Sequence, residues 1–242
     1  MQLDFTDKTV LITGASYGLG EVFSHQFAEA GAELVLTARS TEMLDGVAAV
    51  CREKGSPKVT VVTGDVSIES DVQNVVATGV AEHGRIDVLV NNAGIGHYGP
   101  VVDFSTVDFD EIMRVNLRGT FLCCREALRI MQEHRSGTII NIASVVGIKG
   151  YPLQAAYTAS KHGMMGLTKS LAVEAQTHGV RVSAVLPGGV ATEMVTQSRP
   201  DLDPDELLQP EDVAGAVEYL LSLSEKAAVD QIYIRRRNSQ PF

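Results

Sequence analysis

Lys8-Thr9-Val10-Leu11-Ile12-Thr13-Gly14-Ala15-Ser16-Tyr17-Gly18-Leu19-Gly20 is the stretch on which the reading of this chain turns. Its first half is a short run rich in β-branched residues that ends on a glycine, the signature of a strand. Its second half opens a segment, about 19–30, in which Val22, Phe23, Phe27 and Ala30 recur at helical spacing until Gly31 stops them. A strand running through a glycine-rich turn into a helix is the first half of a βαβ unit.

Outward from this point the alternation continues. Apolar runs at about 33–37, 58–62, 86–90, 138–142, 180–186 and 231–234 read as further strands. Segments at about 41–54, 68–83, 106–132, 154–176 and 210–223 read as helices, the last with Pro210 at its start. The strands are continuously apolar rather than alternating, as strands covered by helices on both faces are. The expectation is an α/β fold: one domain over 1–242, a doubly wound (Rossmann) sheet, mostly parallel, with helices on both faces. The irregular stretch 192–209, with Pro200, Pro204 and the acids Asp201, Asp203, Asp205 and Glu206, follows the sixth strand at its carboxyl end and is read as a flap over a ligand.

Bulk properties agree. The 242 residues are 45% apolar and 21% charged, which excludes general disorder, collagen-like repeats and a disulfide-built mini-fold. A net charge of −10 argues against nucleic acid as the partner. Cys51, Cys123 and Cys124 are odd in number and lack metal-ligand spacing, so free thiols and no metal site are expected. No run of 18 apolar residues is present, and the N-terminus carries acids where a signal peptide needs bases. A cytoplasmic protein with no membrane partner is the expectation.

The turn after the first strand can cradle a phosphate. Gly14 permits the turn, Gly18 lets the backbone approach an anion, and Gly20 allows close helix packing. The helix start adds free amides and a partial positive charge. Ser16, Tyr17 and Leu19 belong to the same cradle. After the second strand comes Thr37-Ala38-Arg39-Ser40, where sites that prefer NAD carry an acid for the ribose 2′-hydroxyl. A carboxylate would repel a 2′-phosphate, whereas Arg39 can grip one with two donors. NADP(H) is therefore preferred and NAD(H) remains possible. Asp65 and Val66 are expected to flank the adenine, and Asn92, Ala93 and Gly94 to run against the cofactor.

Tyr157 and Lys161 stand four residues apart in the helical stretch 154–176 and so share a face. A phenol titrates near 10, and bringing it to about 7 asks for about 4 kcal/mol. One cation about 4 Å away at an effective dielectric of about 20 supplies that much. Such a tyrosine can give a proton to a carbonyl oxygen or take one from an alcohol.

With these residues assembled, the chain resembles the short-chain dehydrogenase/reductase family, in the branch with subunits of about 250 residues. The resemblance runs over almost the whole length. It rests on Gly14/Gly18/Gly20, Asn91-Asn92-Ala93-Gly94, Ser144 placed 13 before Tyr157, Tyr157/Lys161, and Pro187-Gly188 followed by Thr192. It implies that Tyr157 is the general acid/base, that Lys161 holds the nicotinamide ribose and lowers the tyrosine pKa, and that Ser144 polarises the substrate oxygen. It implies further that Asn116 holds a water linking Lys161 to solvent, and that Pro187, Gly188, Val190 and Thr192 dock the nicotinamide carboxamide. The expected activity is hydride transfer between NADP(H) and a carbonyl or secondary alcohol of a small molecule. Two other readings stay open: an NAD(H)-dependent dehydrogenase of a hydroxy acid or sugar, and a non-catalytic dinucleotide sensor.

The substrate side is expected to draw on Ile95, His97, Tyr98, Val145, Val146, Tyr151, Leu153, Gln154, Gly189 and the flap from Glu193, a mostly apolar set. Two features depart from the family. Tyr17 stands where some NADP-dependent relatives carry a base. The C-terminus lacks the usual Gly-Gly strand and ends in Arg235-Arg236-Arg237-Asn238-Ser239-Gln240-Pro241-Phe242, read as a solvated tail. A homodimer or homotetramer is expected, by pairing of the helices at 117–131 and 156–176.

Overall fold

A computed structural model of the chain describes residues 4–198 and 203–241, with 197 and 198 as backbone alone. Seven strands, β1 (Thr9–Thr13), β2 (Glu33–Ala38), β3 (Val59–Thr63), β4 (Val88–Asn91), β5 (Gly137–Ile142), β6 (Val180–Pro187) and β7 (Gln231–Ile234), form one sheet in the order β3-β2-β1-β4-β5-β6-β7. Every pairing is parallel, so the sheet is wholly rather than mostly parallel. Strand order reverses between β1 and β4, and a crevice opens there at the carboxyl ends of both.

Helices α1 (Leu19–Glu29), α2 (Thr41–Glu53) and α8 (Pro210–Ser222) cover one face, and α3 (Glu69–His83), α5 (Thr120–His134) and α6 (Ala155–Gln176) the other. Strand β1 explains the unbroken apolar runs. Val10 and Ile12 point into a core with Phe23, Phe27, Leu44 and Val217, while Leu11 between them points into a second core with Val76, Leu122 and Met131. Strands β1, β2, β4, β5 and β6 bury nearly every position in this way, and only the edge strands β3 and β7 are partly open.

Two expectations are refined. The helical stretch 106–132 is three elements: α4 (Thr106–Ile112), a wide π turn at Met113–Gly119, and α5. At the start of α5 the Thr120 hydroxyl donates to the Asn116 carbonyl at 2.8 Å. The stretch 192–209 contains a six-residue helix, α7 (Glu193–Ser198), and a 3-10 turn at Pro204–Glu206, where a loop was expected. Thr192 starts α7, accepting at its carbonyl from the amides of Val195 and Thr196. Leu208 then pairs with Val190 in an isolated bridge, so the excursion returns to where it left β6. Residues 199–202 of the expected flap lie outside the described residues. Among the described residues no helix is long and apolar enough to cross a membrane.

Candidate active site

The cradle forms where β1 and β4 diverge. Gly14 has φ +64°, and a Cβ there would stand 2.8 Å from the Ala93 Cα, so the β1 and β4 loops touch through the one residue that permits it. Thr13 and Asn92 join the loops. The Thr13 Oγ1 accepts from the amides of Asn92 and Ala93, both at 3.1 Å. The Asn92 side-chain nitrogen donates to the carbonyls of Thr13 (3.1 Å) and Gly14 (3.0 Å). Gly20 lies beneath the cleft rather than in its lining, since a side chain there would collide with the Gly14 carbonyl. It shapes the cofactor site by packing and does not touch it. Tyr17, Gly18 and Leu19 face the cleft across from Pro187, Gly188, Val190 and Thr192.

A second lobe of the same crevice is lined by Ser16, Arg39, Ser40, Asp65, Val66, Gly94 and Val115. Arg39 is exposed on its rim. Burial works against the Asp65 carboxylate, but hydrogen bonds from Ser67 and the cations of Arg114 and Arg39 hold its pKa below the usual value. The lobe therefore offers a guanidinium and a carboxylate near one another, with apolar walls between. These residues fit a dinucleotide: glycines where backbone must approach a phosphate, a helix start behind them, and a cation at the far end.

Ser144, Tyr157 and Lys161 meet at the other end. Helix α6 brings Tyr157 and Lys161 to one side, and an interior polar chain sets its depth. Asn91 donates to the Asn141 side chain at 2.9 Å, and Asn141 donates to the Thr168 hydroxyl at 2.8 Å, tying β4 and β5 to α6. Gly163 packs on Leu117 and Gly147 on Met165, with no room for a Cβ at either.

The Tyr157 ring meets Tyr98 edge-on at 5.7 Å, and beside it the Ser144 hydroxyl donates to the Pro187 carbonyl at 3.4 Å and accepts from the Val146 amide at 3.3 Å. Burial pushes the Tyr157 pKa above its ordinary value; Tyr98 adds to this and the Ser144 side chain opposes it. The Lys161 ammonium lies 5.8 Å from the centre of the Tyr157 ring and donates to the Ile142 carbonyl at 2.9 Å. Burial lowers the Lys161 pKa to about 8. Burial is thus the largest influence on the Tyr157 phenol, and the Lys161 ammonium stands over its ring.

Asn116 does not line the cleft. Fully buried in the π turn, it accepts from the Ile95 amide at 2.8 Å and donates to the Ile95 carbonyl (2.9 Å) and the Ser160 hydroxyl (3.1 Å). In this state it braces the 94–95 loop against α6, with its amide hydrogens taken up by protein acceptors.

Beyond Tyr157 a further cavity is lined by Tyr98, Ser144, Val145, Val146, Tyr151, Gln154 and Gly189, all named from the sequence. His97 and Leu153 are not in its lining, and Ile95 faces the dinucleotide lobe instead. From the flap, Met194 and Val195 line the cavity rather than Glu193. The reading of 235–237 as a solvated tail is overturned: Arg235 and Arg236 are half-buried in the cavity wall, which Tyr233, Asn238, Ser239 and Gln240 also line, and of the three arginines only Arg237 is exposed. Periodicity and motif carry no trace of this, because the tail is held by its own backbone carbonyls. His97 instead approaches Glu111, its Nε2 3.6 Å from a carboxylate oxygen, with Asp108 beside them.

This fold and site define a nicotinamide-type dinucleotide oxidoreductase, and comparison with known proteins makes the class specific. The family model for short chain dehydrogenases matches residues 8–203. Levodione reductase of Leifsonia aquatica is 42% identical over 203 residues, covering 83% of this chain and 76% of that one. The 3-oxoacyl-[acyl-carrier-protein] reductase FabG of Rickettsia felis is 34% identical over 229 residues, 91% of each chain. A crystal structure of a metagenomic short-chain oxidoreductase in complex with NADP superposes with a TM-score of 0.84 at 32% identity, covering 97% of this chain and 99% of that one. The chain belongs to the short-chain dehydrogenase/reductase family. It is an oxidoreductase acting on carbonyl or alcohol groups.

Proposed function

We propose that the chain is an NADP(H)-dependent reductase of small-molecule ketones, able to run in reverse on secondary alcohols. The observation that carries this reading is that Ser144 and Tyr157 line both the dinucleotide crevice and the second cavity and so stand at their junction. When bound, the nicotinamide supplies the hydride. Ser144 orients the substrate oxygen by hydrogen bonding, and Tyr157 donates its proton to that oxygen. Lys161 and the cradle residues Gly14, Ser16, Tyr17, Gly18, Leu19, Asn92, Ala93 and Gly94 hold the dinucleotide. Pro187, Gly188, Val190 and Thr192 close over it, Asp65 and Val66 flank the adenine, and Asn116 positions the loop between. Arg39 receives the 2′-phosphate that distinguishes NADP(H).

The flap and the sheet act as parts of one domain. Exposed apolar side chains Phe121 on α5 and Val173 on α6 support pairing of those helices in a homodimer or homotetramer.

The test is Tyr157→Phe, followed by nicotinamide absorbance with a panel of ketones. Removing a general acid lowers turnover by about 10²-fold or more, while the dissociation constant for NADPH stays within about threefold, since the variant leaves the cradle untouched. Turnover that persists in this variant removes the role assigned to Tyr157.

A further inference from the structure

We propose that the substrate of this enzyme is an oxo acid, or the matching hydroxy acid, whose carboxylate is received by Arg236. The inference rests on the reading of Tyr157 as proton donor, because it names what lies at the other end of the same cavity.

The C-terminal tail is built as a wall. The amide of Gly188 donates to the Ile234 carbonyl at 2.7 Å and carries the β6–β7 ladder one step further. The Arg235 Nη1 then donates to the carbonyls of Arg236 (3.1 Å), Arg237 (3.1 Å) and Ser239 (2.7 Å), folding the tail around its own guanidinium. The Ser239 amide donates to the Arg236 carbonyl at 3.0 Å, and the Lys149 ammonium donates to the Gln240 carbonyl at 3.3 Å. Arg235 is therefore engaged with the backbone, and Arg237 is in water.

Arg236 differs from both. Its side chain is 19% exposed and lines the cavity that holds Ser144 and Tyr157. Its one ion-pair partner among the described residues is Glu206, 3.8 Å away and half exposed. Among the described residues no hydrogen bond involves its guanidinium. A guanidinium carries five N–H donors in a planar fork that matches a carboxylate. At the cavity wall, with so loose a partner, it keeps those donors available, and a carboxylate entering the cavity gains charge-assisted hydrogen bonds from them. The chain as a whole carries −10 and repels anions at distance, so an acidic substrate needs such a local cation. A neutral ketone would leave Arg236 as it stands.

The test uses the full chain with NADPH. A series of ω-carboxy methyl ketones from 4-oxopentanoate to 7-oxooctanoate is compared with uncharged methyl ketones of equal length. In the native protein the best acid exceeds its neutral match at least about tenfold in kcat/KM, as one charge-assisted pair provides. Arg236→Gln reduces that preference about tenfold or more, with the loss in KM, and Arg236→Lys restores part of it. In parallel, calorimetry measures binding of C4 to C8 dicarboxylates, which cannot be reduced, to the NADP-loaded protein and to a folded Arg236→Gln variant.

A native preference near one, or one unchanged in Arg236→Gln, overturns the inference while the reductase reading stands. If no ketone is reduced, the reductase reading fails, and the dicarboxylates decide alone: binding lost in Arg236→Gln upholds the role of Arg236, and binding absent or unaffected overturns it.

Discussion

Lys161 illustrates what a functional residue does to the protein that carries it. Its burial lowers the pKa to about 8 from 10.5. Between these values the unfolded chain binds more protons than the folded one, so stability rises with pH across that window. The penalty is fully present below pH 8 and is relieved above 10.5. In Lys161→Met the penalty is absent, although the Ile142 carbonyl loses its donor. The stability difference, variant minus native, is therefore most favourable to the variant below pH 8 and shrinks by about 3 kcal/mol by pH 10.5. Denaturant melts of the cofactor-free proteins at pH 7 and pH 10.5 measure it, and a difference that does not move with pH contradicts the assignment. Arg39 is the second residue whose role can be isolated. It is exposed and makes no ion pair among the described residues, so Arg39→Glu leaves the fold intact and sets a carboxylate against the 2′-phosphate. We expect KM for NADPH to rise about tenfold or more and KM for NADH to fall or hold, an exchange worth a charge-assisted pair. Steady-state rates with both cofactors read it.

At the level of elements, what could be read from the chain followed physical signals of different strength. The β1–α1 junction was legible because Gly14 and Gly18 sit where only glycine fits, and α8 because Pro210 opens it. The π turn was not legible. Its apolar spacing continues that of α4 and α5, so nothing in the pattern of residues marks the change of winding. Helix α7 was hidden by the prolines that follow it. The tail was misread because a run of arginines ordinarily marks solvent, whereas Arg235 here organises its own backbone. Helix α6 shows how elements hold the site: its depth depends on the Asn91–Asn141–Thr168 chain. Thr168→Val removes the partner of the Asn141 nitrogen and leaves it buried, costing about 1–3 kcal/mol. Because α6 also carries Tyr157 and Lys161, turnover is expected to fall with stability. Urea melts and kcat on one preparation test this, and a variant with native values for both contradicts it.

Across the whole molecule, two apolar cores on either side of one sheet carry the stability, and all three cysteines lie within them. Cys51 belongs to the core under α1, α2 and α8; Cys123 and Cys124 belong to the core under α3, α5 and α6. Burial raises all three thiol pKa values, Cys51 and Cys124 to about 12 and Cys123 higher still. Essentially no thiolate exists at neutral pH, and the thiolate is the reactive form. The native chain is therefore expected to be unreactive toward a thiol-specific dye at pH 7 and to need no reducing agent in storage. Dye uptake would then require the layers to separate. Modification of the two sides, resolved by mass spectrometry, would clock each half of the molecule as it opens, with Cys51 timing one and the Cys123–Cys124 pair the other. Rapid labelling of the folded protein at any of the three would contradict their sealed positions. A chain without tryptophan thus carries, in its sulfur atoms, its own pair of stopwatches for unfolding.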